Sequence, residues 1–208
     1  MYTIRLLTAE ELHGSAEQLG GLLADTVDGG ASVGFLAPLD RAAAAGWWRA
    51  LAPDVAEGRL LLWVAEADAS VATDGTDEPG KADGAGRGRI AGTVQLRPAA
   101  TANGRHRADV AKLMVHRADR GQGLAGRLLA ALEATAVERG LRTLVLDTET
   151  GSPAERMYAA AGWSRVGTVP DFATDPAGVP CATTIFYKPL QGAGGRTASG
   201  ARTAASLG

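Results

Sequence analysis

Cysteine is almost missing from this chain. Cys181 stands alone, so an internal disulfide and a cysteine zinc cluster are both excluded. Lysine is nearly as scarce, with three against eighteen arginines, and aromatic residues make up only 5% of the chain. No apolar run approaches the roughly 20 residues that a transmembrane helix needs. The opening "MYTIRLLTAEELHGS" has neither an apolar signal core nor a cleavage pattern, so a cytoplasmic protein is expected. Neither sign of charge dominates. A net charge of −2 gives no general affinity for nucleic acid or for an anionic membrane surface.

Glycine and alanine, by contrast, are abundant, at 28 and 42 of 208 residues. With the arginine excess this has the look of a GC-rich coding background, in which glycine motifs arise by chance. Two segments are expected to be disordered: an acidic, glycine-rich loop over 68–87 and a Gly/Ala/Ser/Thr tail over 191–208. Neither carries enough large apolar side chains to offset the entropy of ordering. Residues 1–190 then form one domain, a normal size for a single core.

Within that domain, short strand-like and helical segments alternate. "YTIRLL" predicts a strand, and Thr8 with Glu11 a capping box opening a helix whose stripe is Leu12, Ala16, Leu19 and Leu23. Asp40 caps a second helix, through Leu51. Strands are expected at 59–67, 89–97 and 108–116, and an amphipathic helix at 121–140 with Leu124, Leu128, Leu132 and Ala136 on one face. A buried strand at 142–149 follows. Ser152-Pro153-Ala154-Glu155 opens another helix, ending at Gly162, and two strands close the fold. The order is one strand, two helices, three strands, then helix, strand, helix, strand, strand. It predicts a mixed α/β sandwich on one sheet.

The segment Arg120-Gly121-Gln122-Gly123-Leu124-Ala125-Gly126 joins a strand to the amphipathic helix. Glycines let a ligand approach the backbone, the first-turn N–H groups have no helical partners, and the dipole favours an anion. A phosphate or pyrophosphate cradle is one reading and a plain glycine-rich turn the other. A Walker loop fails, because Gly126-Arg127 stands where Lys-Ser/Thr is required. Gly121-x-Gly123-x-x-Gly126 also fits a dinucleotide fingerprint, with Asp147 about 20 residues on. Against that, "HRADR" separates the glycines from the strand, and about 60 residues remain before the tail.

"LMVHRADRGQGLAGRLL" resembles motif A of the GNAT superfamily of acyl-CoA-dependent N-acetyltransferases. Arg120, Gly123 and Ala125 fill its Q/R-x-x-G-x-G/A pattern, with Leu113 and Val115 at the preceding apolar positions. The resemblance covers about residues 2–189 and includes the order of elements. "NGRHRADVAKLMV", "LVLDTETGSPAERMYAAAGWSRVG" and "TIFYK" look like the tabtoxin-resistance subgroup. The resemblance implies an α/β (α+β) domain on a mixed, mostly antiparallel sheet splayed at its centre, with helices on both faces. It implies acetyl-CoA as donor, no metal, and a small-molecule amine as acceptor, an amino-acid-like compound or antibiotic. It leaves open a homodimer, a protein lysine or N-terminal acceptor, and a non-catalytic acyl-CoA or dinucleotide binder.

Residue by residue, the backbones of Leu113, Met114 and Val115 would pair with the pantetheine arm. The amides from Gly121 through Gln122, Gly123, Leu124 and Ala125 to Gly126 would hold the pyrophosphate beside Arg120. Tyr158 falls where the family has its general acid, able to protonate the leaving thiolate; a core aromatic is the alternative. A base is needed because a primary amine of pKa about 10.4 is mostly charged at pH 7. Asp109 and Asp147 are the candidates, as base or as anchors for the amine. Asp109 could instead pair with Lys112 or an arginine, and Asp147 is expected mid-sheet, where a carboxylate is costly unless used. Phe35 and Ser32 are expected to line an acceptor-side loop. The literal G-x-S-x-G at Gly30–Gly34 lacks the strand-turn-helix frame of a nucleophile elbow. His106 and His116, ten residues apart along one strand, do not make a metal pair.

Overall fold

The computed structural model describes residues 1–68 and 88–190. The expected acidic loop, apart from Asp68, and the expected tail lie outside the described residues. Seven strands form one sheet in the order β1-β2-β3-β4-β5-β7-β6, with β1 Tyr2–Leu6, β2 Leu61–Ala67, β3 Arg89–Pro98, β4 Arg107–Val115, β5 Thr143–Glu149, β6 Ser164–Thr174 and β7 Pro180–Pro189. Every neighbouring pair is antiparallel except β4 with β5. Helices α1 (Ala9–Asp28) and α2 (Arg41–Arg49) cover one face, and α4 (Leu124–Glu138) and α5 (Pro153–Ala160) the other. Among the described residues no helix is long and apolar enough to cross a membrane.

Local chemistry explains the elements. At Thr8 the hydroxyl accepts the Glu11 N–H at 3.2 Å, and the Glu11 carboxylate accepts the Thr8 N–H at 2.8 Å. The expected second helix, through Leu51, ends at Arg49, and a short α3 that was not expected, Ala52–Ala56, follows it with Pro53 in its first turn. In β2, Leu61, Trp63 and Ala65 pack towards α4, and Leu62 and Val64 towards α1. Alternate residues of one strand thus feed two cores, which is why this interior strand is apolar on both faces from Leu61 to Ala65.

The α1–α2 pair fixes the floor of the molecule on that side. A Cβ at Gly20 would lie 2.8 Å from the backbone of both Ala45 and Arg41. Gly20→Val therefore forces the helices apart and lowers stability by about 1–3 kcal/mol, read as a lower urea midpoint at unchanged slope. A wild-type midpoint in the variant would contradict the packing.

Candidate active site

The sheet comes apart at its middle. β4 and β5 share three rungs only, Arg107↔Thr143, Ala108↔Leu144 and Asp109↔Val145. Beyond them the strands diverge, and the side of β4 facing β5 from Val110 onward pairs with no strand among the described residues. The resulting cleft has a volume of about 1210 Å³. Its walls come from β4, the start of α4, the β5–α5 connection, the α1–α2 loop and the far end of β6.

β4 is bulged inside the cleft. Its register with β3 runs Thr93↔Met114 and then Gln95↔Ala111, so Lys112 and Leu113 together face Val94. Lys112 absorbs the extra residue with a φ of 51°. The bulge resets the alternation: Val110 before it and Leu113 and Val115 after it face the α4 core, while Met114 faces α1. Gly92, opposite Val115, is where β3 tolerates this approach, since a Cβ there would meet the Met114 carbonyl at 2.8 Å.

The chain then turns through Arg117–Asp119 and reaches α4 by two left-handed glycines, Gly121 at φ 80° and Gly123 at φ 70°. α4 has no side-chain cap and no acid in its first turn. The first N–H to bond back is that of Arg127, to the Gly123 carbonyl at 3.1 Å. The N–H groups of Leu124, Ala125 and Gly126 therefore have no helical partner, the arrangement that suits an anion. Arg120 Nε donates to the Val115 carbonyl at 3.3 Å and holds this loop against the end of β4.

Opposite, α5 is fixed by hydrogen bonds. Ser152 Oγ accepts the Glu155 N–H at 3.1 Å. Glu155 takes the Gly151 N–H at 2.6 Å rather than that of Ser152, a shifted version of the expected box, and accepts the Thr184 hydroxyl at 2.8 Å. The Gly151 N–H, with help from Thr184, holds the Glu155 carboxyl below its ordinary value. Tyr158, one and a half turns into α5, is 7% exposed. Its ring packs edge-on to Trp163, with centroids 5.8 Å apart, and against Phe186 at 6.3 Å. Burial raises its phenol well above the ordinary value, and the Asp147 charge adds to this. Tyr158 is therefore protonated across the physiological range.

Of the residues expected in the site, Phe35, Leu113, Met114, Val115, Arg120, Gly121, Ala125, Asp147 and Tyr158 line the one cleft. Gln122, Gly123 and Gly126 fall outside that lining, beside it at the start of α4, and the Leu124 side chain is buried in the α4 core. Asp109 is outside the lining: it sits on the last paired rung of β4, and its side chain, 53% exposed, bonds Arg107 at 3.1 Å, the arginine pairing left open by the sequence. Asp147 is mid-sheet on the β7 side, paired with Ile185, but it falls two residues beyond the last rung with β4 and is exposed on the opened side. Lys112, read from the sequence only as a possible partner for Asp109, lines the cleft instead, since no pattern in "DVAKLMV" marks a bulge. The hint available is a lysine set among apolar strand residues. At the other end of the cleft the α1–α2 loop is tied to the end of β6 and to the β6–β7 connection. Ser32 Oγ donates to the Thr174 carbonyl at 3.1 Å, and the Ala37 N–H to the Pro176 carbonyl at 2.8 Å.

A sheet splayed beside a bare helix start is the architecture of the acyl-CoA-dependent N-acetyltransferases. Residues 47–163, more than half the chain, match the acetyltransferase (GNAT) family, and the chain belongs to it. Its fold is shared with solved structures of low sequence identity. One is a protein from Salmonella typhimurium assigned as an acetyltransferase and solved with its cofactor acetyl-CoA (16% identity, 95% of this chain and 99% of that one, TM-score 0.66). Another is a ribosomal-protein-alanine N-acetyltransferase from Brucella melitensis (21%, 90% and 99%, 0.65). A third is a protein assigned as a phosphinothricin N-acetyltransferase (18%, 92% and 99%, 0.65). The donor of this family is acetyl-CoA, and among the described residues no group of side chains could hold a metal ion. The residues present fit that donor, with an unpaired strand edge for an amide-bearing arm and free N–H groups for a pyrophosphate.

Proposed function

We propose that this GNAT protein moves the acetyl group of acetyl-CoA to the amine of a small molecule, an amino-acid-like compound or antibiotic, in resistance or detoxification. The observation that carries the reading is that Asp147 and the buried Tyr158 line the same cleft as the unpaired edge of β4. The β4 backbone over Leu113–Val115 holds the pantetheine arm, and the first-turn amides of α4 with Arg120 hold the pyrophosphate. The amine attacks directly in a ternary complex, with backbone N–H groups of the bulge polarising the carbonyl. Its neutral form lies about 4–5 kcal/mol uphill at pH 7. Asp147, the carboxylate that reaches the cleft, anchors the ammonium and passes its proton to water. Tyr158 gives its proton to the leaving thiolate. The ammonium loses two protons, one to water through Asp147 before attack and one as the amide forms. The second restores Tyr158, which has protonated the sulfur, so amide, free thiol and one released proton leave the site in its starting state. A cytoplasmic setting fits a donor made and kept inside cells.

The hydrogen bonds joining the α1–α2 loop to the β6–β7 connection narrow the acceptor end and favour a small acceptor over a polypeptide. The test is acetyl-CoA consumption by the full chain against amino acids, aminoglycosides and amino-acid-like antibiotics, with a ribosomal-protein N-terminal peptide in parallel. Turnover on a small amine at least tenfold above the peptide, compared as kcat/KM, is expected. Turnover on the peptide alone, or thermal stabilisation by NAD and not by acetyl-CoA, would sink the proposal.

A further inference from the structure

β4 pays heavily to place one side chain. Lys112 sits at φ 51°, in the left-handed region that residues other than glycine seldom adopt without strain. The bulge turns its side chain into the cleft beneath the α1–α2 loop. There its Nζ lies 5.6 Å from the centre of the Phe35 ring and 5.5 Å from that of Trp47, with the two rings edge to face. Lysines on strands ordinarily reach water or a carboxylate. Two other acids are engaged elsewhere: Asp109 with Arg107, and Asp54 with Arg59 and Arg97. Among the described residues Lys112 makes no hydrogen bond and no ion pair. Burial pushes its ammonium below the ordinary lysine value, while the charge of Asp147 works the other way. Asp147 lines the same cleft and is likewise without a hydrogen bond or ion pair among the described residues.

A strained, partly desolvated cation bonded to no counter-ion is a poor choice for packing alone, since Met would fill the space between Phe35 and Trp47 without the desolvation penalty. With Asp147 in the same cleft, the site offers one positive and one negative group to an acceptor. We propose that Lys112 is the specificity residue of the acceptor site: its ammonium pairs with a carboxylate on the acceptor while the acceptor's amine faces Asp147. The acceptor class is therefore an amino acid or a compound with the same zwitterionic head. Phe35 and Trp47 hold the lysine stem and shield the pair from water, which strengthens it. Lys112 stays protonated throughout and forms no covalent bond. This assignment rests on the acetyl-transfer reading for its amine, and on Lys112 itself for its carboxylate.

The test uses the full chain with saturating CoA, and measures thermal stabilisation by the twenty L-amino acids and by the carboxamide of each. At least one L-amino acid is expected to bind the wild type, its carboxamide at least tenfold more weakly. Lys112→Met and Lys112→Gln lose that preference, and Lys112→Arg keeps part of it; two neutral variants guard against one that fails to fold. The assignment is overturned if no L-amino acid stabilises the wild type, if acid and carboxamide bind alike, or if the neutral variants keep the preference. Release of free CoA from acetyl-CoA is scored separately on the ligands that bind. A carboxylate preference without any turnover defeats the acetyl-transfer reading and leaves the role of Lys112 standing.

Discussion

Tyr158→Phe is expected to lower turnover by about 10²–10⁴-fold while leaving acetyl-CoA affinity unchanged. The substitution removes one oxygen and no packing. The ring keeps its contacts with Trp163 and Phe186, and no hydrogen bond of the phenol is lost from the fold among the described residues. What disappears is the proton that the leaving sulfur would take. Steady-state kcat with acetyl-CoA, set beside a binding titration, separates the two effects. A kcat within about threefold of wild type, less than 1 kcal/mol in the barrier, would show that the thiolate leaves without Tyr158.

The same residue has a signature in stability. Burial raises the phenol's pKa in the folded state, whereas the unfolded chain releases the proton near the ordinary value of about 10. Above that pH the unfolded state binds fewer protons than the folded one, so stability falls as pH rises. Below it the contribution is fully present. Tyr158→Phe removes this share, and the loss of melting temperature between about pH 9 and 11 should be shallower in the variant. An identical slope in both proteins would mean that the phenol is not desolvated.

Much of this site is legible in the sequence because it depends on local rules. The glycines at 121 and 123, the strand before them and the apolar stripe of α4 are all periodic or positional signals, and each falls where the pattern puts it. The Ser152 cap and the place of Tyr158 in α5 follow from the same kind of spacing. What stays hidden depends on the relation between strands. Asp109 and Asp147 look equivalent in sequence, each an acid on a strand. Only the parting of β4 and β5 after Asp109↔Val145 leaves one on a paired, arginine-bound rung and the other facing the cleft. Lys112 is a sharper case, because its direction is set by a bulge that no period-2 pattern announces.

Gly126→Glu should move stability and cofactor affinity in opposite directions. Gly126 is the third residue of α4, and a Cβ there meets nothing within 4 Å, so the glutamate enters without a clash. Replacing glycine inside a helix gains up to about 1 kcal/mol. A negative charge beside the uncapped N-terminus adds about 0.3–1 kcal/mol. The free protein should therefore melt higher than wild type. The same carboxylate would stand beside the proposed pyrophosphate seat. Two phosphate charges at about 6 Å in an effective dielectric of about 40 oppose it by roughly 3 kcal/mol, near a hundredfold in Kd. Gly126→Gln separates charge from bulk: it should share the propensity gain and keep most of the affinity. Calorimetric titration with acetyl-CoA at low and high salt checks the result, since an exposed repulsion shrinks as salt rises. If Gly126→Glu binds acetyl-CoA as tightly as wild type, the pyrophosphate does not sit on the first turn of α4.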